Sequence, residues 1–140
     1  DAVYDTAKSF ENIIHAGGRL LVFDISEDIT YTGDESALRQ VVSILIDNAA
    51  KYCDEKGKIV VRLSRDKQIR LQVINDFTNA TECDFSRVFE RFYRADKARA
   101  SDGSYGLGLS IAKADVELHK GEIRVKTLEH DRVMFEVTLR

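Results

Sequence analysis

Glu35-Ser-Ala-Leu38-Arg-Gln-Val41-Val42-Ser-Ile-Leu45-Ile46-Asp-Asn48-Ala49-Ala-Lys51-Tyr52 is the stretch on which the fold turns. Its residues Leu38, Val41, Val42, Leu45, Ile46 and Ala49 recur at the spacing of one helix face. Asp34 precedes it, where a carboxylate can accept from an unpaired N–H of the first turn. The spacing predicts a long helix with one apolar stripe, which must be covered by another layer.

That layer is legible on both sides. Lys58–Arg65 and Gln68–Asn75 are β-branched, leucine-rich runs across a short polar turn, the pattern of a hairpin. Glu122–Thr127 and Val133–Leu139 form a second pair, preceded by a helix from about Leu107 to His119 that Gly121 stops. Upstream, Val3, Ala7, Phe10, Ile13 and Ile14 place one helix over Asp1–Ala16, ended by Gly17-Gly18, and Arg19–Ile25 and Ile29–Thr32 read as strands. From Asp76 to Gly106 the pattern loosens, with one short helical piece around Ser86–Tyr93. Loops of such length inside a compact domain are commonly functional lids. The expectation is an α+β sandwich of three helices and about five or six strands.

At 140 residues, 44% apolar and 32% charged, the chain reads as a single globular domain, 1–140. A net charge of −3 offers no basic field to nucleic acid. No apolar run reaches the ~20 residues needed to span a bilayer, and no signal-peptide pattern opens the chain. Cys53 and Cys83 lie far apart without a CxxC pair or a nearby histidine, so two reduced thiols of a cytosolic domain are expected instead of a zinc or redox motif.

Three groups of residues suit chemistry. Asn48, Lys51 and Tyr52 share a helix face that flanks the apolar stripe, at the rim of the core. An amide oxygen there suits Mg²⁺, a lysine meets phosphates as a point charge, and a tyrosine walls a base. The plainer alternative is the polar flank of an ordinary amphipathic helix. In Gly103-Ser104-Tyr105-Gly106-Leu107-Gly108-Leu109, glycines open a helix whose first N–H groups and positive dipole end favour an anion. A flexible connection would look the same, and neither a Walker loop nor a dinucleotide fingerprint is present. Phe89-Glu-Arg91-Phe92-Tyr-Arg94-Ala-Asp-Lys97-Ala-Arg99 combines aromatics with four cations, either a lid that swings charge towards phosphates or a short helix with solvated cations.

In this order and spacing, the three groups resemble the asparagine, phenylalanine and second glycine boxes of the ATPase domain of bacterial sensor histidine kinases, in the superfamily that includes gyrase. His119-Lys-Gly121 resembles its usual exit, and the resemblance runs from about Gly33 to the C-terminus. It implies a Bergerat-type fold, a mixed, mostly antiparallel sheet of about five strands under three helices, with ATP between helices and a lid over about 78–105. It implies that Asn48 holds Mg²⁺, Lys51 contacts phosphate, Tyr52 packs near adenine, and Gly106, Leu107 and Gly108 donate to the phosphates. Ser104, Tyr105 and Leu109 beside them, and the lid cations Arg94, Lys97 and Arg99, complete the expected ATP site.

Two departures stand out. The family's first glycine box, Asp-x-Gly-x-Gly, reads here Asn75-Asp76-Phe77-Thr78-Asn79, so Asn75 falls where an Asp accepts from the adenine amino group. Asp76 would face the opposite side of the strand. Ile44 stands where the asparagine box has its first Asn, leaving Asn48 as the clear metal ligand.

The resemblance implies transfer of the ATP γ-phosphoryl group to a histidine on a separate dimerisation domain, then to the receiver domain of a response regulator. It implies a cytoplasmic domain of a membrane-anchored parent. His15, His119 and His130 do not suit the phospho-acceptor role; His119 reads as a helix-end residue favoured by the dipole. Two rivals remain: a degenerate module of the same fold that docks other domains, and a serine-directed anti-sigma-type kinase.

Overall fold

The computed structural model describes residues 2–26, 29, 31, 33–78, 89, 108–129 and 131–139. Along the chain these form α1 (Ala2–Lys8), α2 (Glu11–Ala16), β1 (Leu20–Ile25), α3 (Glu35–Tyr52), β2 (Lys58–Arg65), β3 (Ile69–Asp76), α4 (Gly108–Leu118), β4 (Glu122–Leu128) and β5 (Arg132–Leu139). One five-stranded sheet has the order β1-β2-β3-β5-β4. β1 pairs with β2 in parallel, and the other ladders are antiparallel. The parallel pair requires a crossover, and α3 supplies it. The mixed sheet and α+β class match the expectation.

Alternation along the strands gives the sheet one face for the helices. Ile59, Val61 and Leu63 of β2, Ile69, Leu71 and Val73 of β3, and Val133, Phe135, Val137 and Leu139 of β5 join one core. Val41, Val42, Leu45, Ile46 and Ala49 of α3 are buried in it, the stripe read from the sequence. Asp34 caps α3 as expected, its Oδ1 accepting from Ala37 N–H at 3.1 Å.

Three differences have local causes. The helix expected over Asp1–Ala16 is two, so four helices stand among the described residues. Ser9 Oγ donates to Thr6 O at 2.6 Å, and Phe10 N–H donates to Ala7 O, a tighter bond than the α-helical one. A serine hydroxyl competes in this way with the regular ladder. Second, β3 begins at Ile69, because Asp66 Oδ1 takes the Gln68 N–H at 3.0 Å and draws Gln68 into the turn. Third, Ile29 and Tyr31 are outside any strand; Tyr31 instead directs its hydroxyl to His119 O at 3.3 Å, and Thr30 and Thr32 lie outside the described residues. α4 spans Gly108–Leu118, within a residue of the expected range, with Leu107 outside the described residues. The helical piece expected at 86–93 also lies outside them except Phe89, a turn residue whose ring meets Phe135 edge-on at 6.1 Å.

Candidate functional site

The C-terminal half of α3 carries the expected metal and phosphate residues. Ile44 sits one turn before Asn48, and a Cβ added to Gly108 would lie 3.5 Å from Ile44 Cγ2. The first residue of α4 therefore rests on α3 beside Ile44, one helical turn from Asn48. This contact sets the first residue of α4 against the part of α3 that carries the asparagine. An asparagine at position 44 would present a polar group to that glycine; the isoleucine presents a methyl.

Asn48 is half-buried, and its side-chain amide has no hydrogen-bond partner among the described residues. A neutral oxygen so placed fits Mg²⁺, which takes one or two protein ligands and keeps waters and phosphate oxygens for the rest. Lys51 Nζ lies 3.1 Å from Asp47 Oδ2, an i,i+4 pair on the same helix. Both side chains are partly in water, so the pair is weak enough for a phosphate to compete. The Leu109 side chain packs against the core, so its possible contribution to an anion is its backbone. Arg94, Lys97, Arg99, Ser104, Tyr105, Gly106 and Leu107 lie outside the described residues, as does the expected lid apart from Thr78 and Phe89.

Asn75 is on the helix-facing side of β3, level with Ile59 of β2 and Val133 of β5, and only 2% exposed. Its Nδ2 donates to Asp76 O at 3.1 Å, which leaves Oδ1 as the acceptor of the amide. Asp76 is occupied elsewhere: its Oδ2 accepts from Lys58 N–H at 2.8 Å. Where the first glycine of the box would stand, Phe77 is buried in the core, its N–H donating to Asp131 O at 2.7 Å. Tyr52, half-buried, meets the Phe77 ring edge-on at 6.2 Å. An aromatic pair thus stands at the exit of the strand that carries Asn75.

Two residues at the C-terminal end of α3, Asp54 and Arg19, have no local pattern in the sequence, and at its N-terminal end His119 has a second role. Asp54 binds Thr78 through both carboxylate oxygens. Arg19 donates from Nε and Nη2 to Cys53 O, at 3.1 and 2.8 Å, steadying the chain as it leaves α3. His119 does more than sit at a helix end. Asp34 N–H donates to its Nε2 at 3.0 Å, so the proton is on Nδ1, which reaches Asp115 O at 2.9 Å. The neutral ring is thus a bridge from the end of α4 to the start of α3, and the dipole reading of His119 gives way to it. Burial pushes the Asp115 carboxyl up, with Asp34 adding to the effect. Burial likewise pushes the Cys53 thiol up, partly offset by Arg19. Cys53 is a free, buried thiol, and Cys83 lies outside the described residues.

A family profile described as histidine kinase-, DNA gyrase B- and HSP90-like ATPase matches residues 33–140. Sensor protein CiaH of Streptococcus pneumoniae is 36% identical over 136 residues, covering 96% of this chain and 31% of that protein. Sensor protein DltS of Streptococcus agalactiae is 38% identical over 135 residues, covering 94% and 33%. The chain spans about a third of the length of these relatives. The solved catalytic domain of histidine kinase ThkA, 24% identical, superposes with a TM-score of 0.82 over 99% of this chain and 90% of that one.

Proposed function

The chain belongs to the histidine kinase-, DNA gyrase B- and HSP90-like ATPases, and from that premise we propose that it is the ATP-binding catalytic domain of a two-component sensor histidine kinase. In this reading it transfers the ATP γ-phosphoryl group to a histidine on the kinase's own dimerisation domain, from which a response-regulator receiver domain takes it. The domain works on the cytoplasmic side of a membrane-anchored parent. Among the described residues no helix is long and apolar enough to cross a membrane. The likeness to CiaH and DltS, both named sensor proteins, supports this assignment over a serine-directed kinase.

The observation that supports the reading is the approach of Gly108, the first residue of α4, to Ile44, one helical turn before Asn48 on α3. A bound Mg²⁺ would neutralise charge on the β- and γ-phosphates. Asn48 would be its protein ligand, with Lys51 turning from Asp47 to the phosphates. Backbone N–H groups from Gly106 to Leu109 would hold phosphate oxygens, and Arg94, Lys97 and Arg99 would approach from the lid. Ser104 and Tyr105 would line the same loop. Tyr52 and Asn75 would meet the base, the amide oxygen accepting from its amino group. A neutral imidazole can attack the γ-phosphorus without a strong base, so positioning and charge stabilisation supply the catalysis.

Titration with Mg·ATP, wild type against Asn48→Ala, tests the assignment. A loss of about tenfold or more in affinity is expected from removing a metal ligand; an affinity indifferent to the substitution overturns it. Phe77, buried where the family has a glycine, favours one second reading: a docking module with little nucleotide affinity. Absence of wild-type binding at millimolar Mg·ATP would select that reading.

A further inference from the structure

Asp54 follows the end of α3 by two residues and grips the neighbouring chain on three sides. Its N–H donates to Asp76 O at 2.9 Å. Its carbonyl oxygen accepts from Gly57 N–H at 2.9 Å and from Arg19 Nε at 3.2 Å. Its carboxylate takes Thr78 twice, the N–H to Oδ1 at 2.9 Å and the hydroxyl to Oδ2 at 2.8 Å. Bonds to an ionised carboxylate are the stronger kind, and two of them on one residue fix backbone and side chain together.

Thr78 is the residue at which the expected lid begins, three beyond Asn75. Between them Phe77 is buried with its N–H on Asp131 O, so the strand exit is held at successive residues. The family's glycines would leave this exit loose. Here, hydrogen bonds hold it to one conformation, and the one at Asp54 comes from the end of the helix that carries Asn48, Lys51 and Tyr52.

We propose that Asp54 is a positioning residue for purine recognition, which by holding Thr78 sets Asn75 on β3 against Tyr52 on α3. The inference rests on the nucleotide-binding reading. Asp54 need not touch the nucleotide; it acts through Thr78 and the end of β3. Its influence therefore falls on the base, while the phosphates are met further back along α3 and on α4.

Affinities for Mg·ATP, Mg·GTP and Mg·tripolyphosphate, measured by titration calorimetry on wild type, Asp54→Ala, Thr78→Val and Thr78→Ser, test it. Asp54→Ala is expected to weaken Mg·ATP by about tenfold and Thr78→Val by about threefold, narrowing the preference for ATP over GTP. Mg·tripolyphosphate should stay within about twofold, and Thr78→Ser, which keeps the hydroxyl, should bind as wild type does. Equal weakening of all three ligands, in step with a lower thermal midpoint, would make the contact a tether only and overturn the proposal. So would an unchanged ATP affinity in Asp54→Ala. Wild-type ATP binding that Asn48→Ala abolishes keeps the nucleotide reading standing in either event, whereas no wild-type binding removes both.

Discussion

A double-mutant cycle between Gly33 and His119 measures how α4 is fastened to the start of α3. A Cβ at position 33 would sit 2.7 Å from His119 Cδ2 and 2.8 Å from its Nε2, far inside van der Waals contact. Gly33→Ala must therefore push the ring away, and the ring moves only by releasing the Asp34 N–H at 3.0 Å and the Asp115 carbonyl at 2.9 Å. Each such bond contributes about 1 kcal/mol net, and both are partly solvated, so a cost of about 1–2 kcal/mol is expected. His119→Ala loses the same two bonds and the ring contact with Tyr31 at 6.1 Å, again about 1–2 kcal/mol. In the double mutant the alanine methyl meets only the Tyr31 ring, at 3.1 Å, so most of the second cost vanishes and the two changes couple by about 1 kcal/mol or more. Urea unfolding of the four proteins, followed by far-UV circular dichroism, gives the midpoints. Strictly additive losses would refute the bridge, because the two residues would then be acting on separate parts of the fold.

Two further outcomes follow from groups whose protonation the fold shifts. Asp115 has a raised carboxyl pKa, so between the unfolded value near 3.8 and the raised folded value the native state holds more protons, and its stability falls as pH rises. Asp115→Asn is therefore expected to raise the urea midpoint at neutral pH and to make no difference below both pKa values; a lower midpoint at pH 7 would contradict this. Buried Cys53, with its thiol pushed up, should resist alkylation in the native state and react on unfolding. Peptide mapping after iodoacetamide treatment reads this, and rapid native labelling at Cys53 would show the site to be open.

What the sequence disclosed and what it withheld divide by range. The stripe from Leu38 to Ala49 and the alternation in β2, β3 and β5 are set by near neighbours, so periodicity revealed both layers. Asn48, Lys51 and Tyr52 could be placed on one face for the same reason, and Asn75 on the opposite side of its strand from Asp76. The break at Ser9 depends on one hydroxyl choosing Thr6 O, a small preference that spacing does not carry. The His119–Asp34 bond joins residues 85 apart, and the Asp54–Thr78 clamp joins residues 24 apart. No local pattern announces such a bond, since it exists only after the layers have closed.

The ladder between β1 and β2 has a bearing on how the chain assembles. β2–β3 and β4–β5 are neighbouring hairpins that can zip from their turns, each with a short loop to close. Leu20 to Ile25, by contrast, find Lys58 to Leu63 only across the whole of α3. The entropy of that long closure is offset only once the helix has settled on the sheet. The outer strand should thus be the late arrival in folding, with the helix that bears Asn48 seated before the edge beside it is sealed.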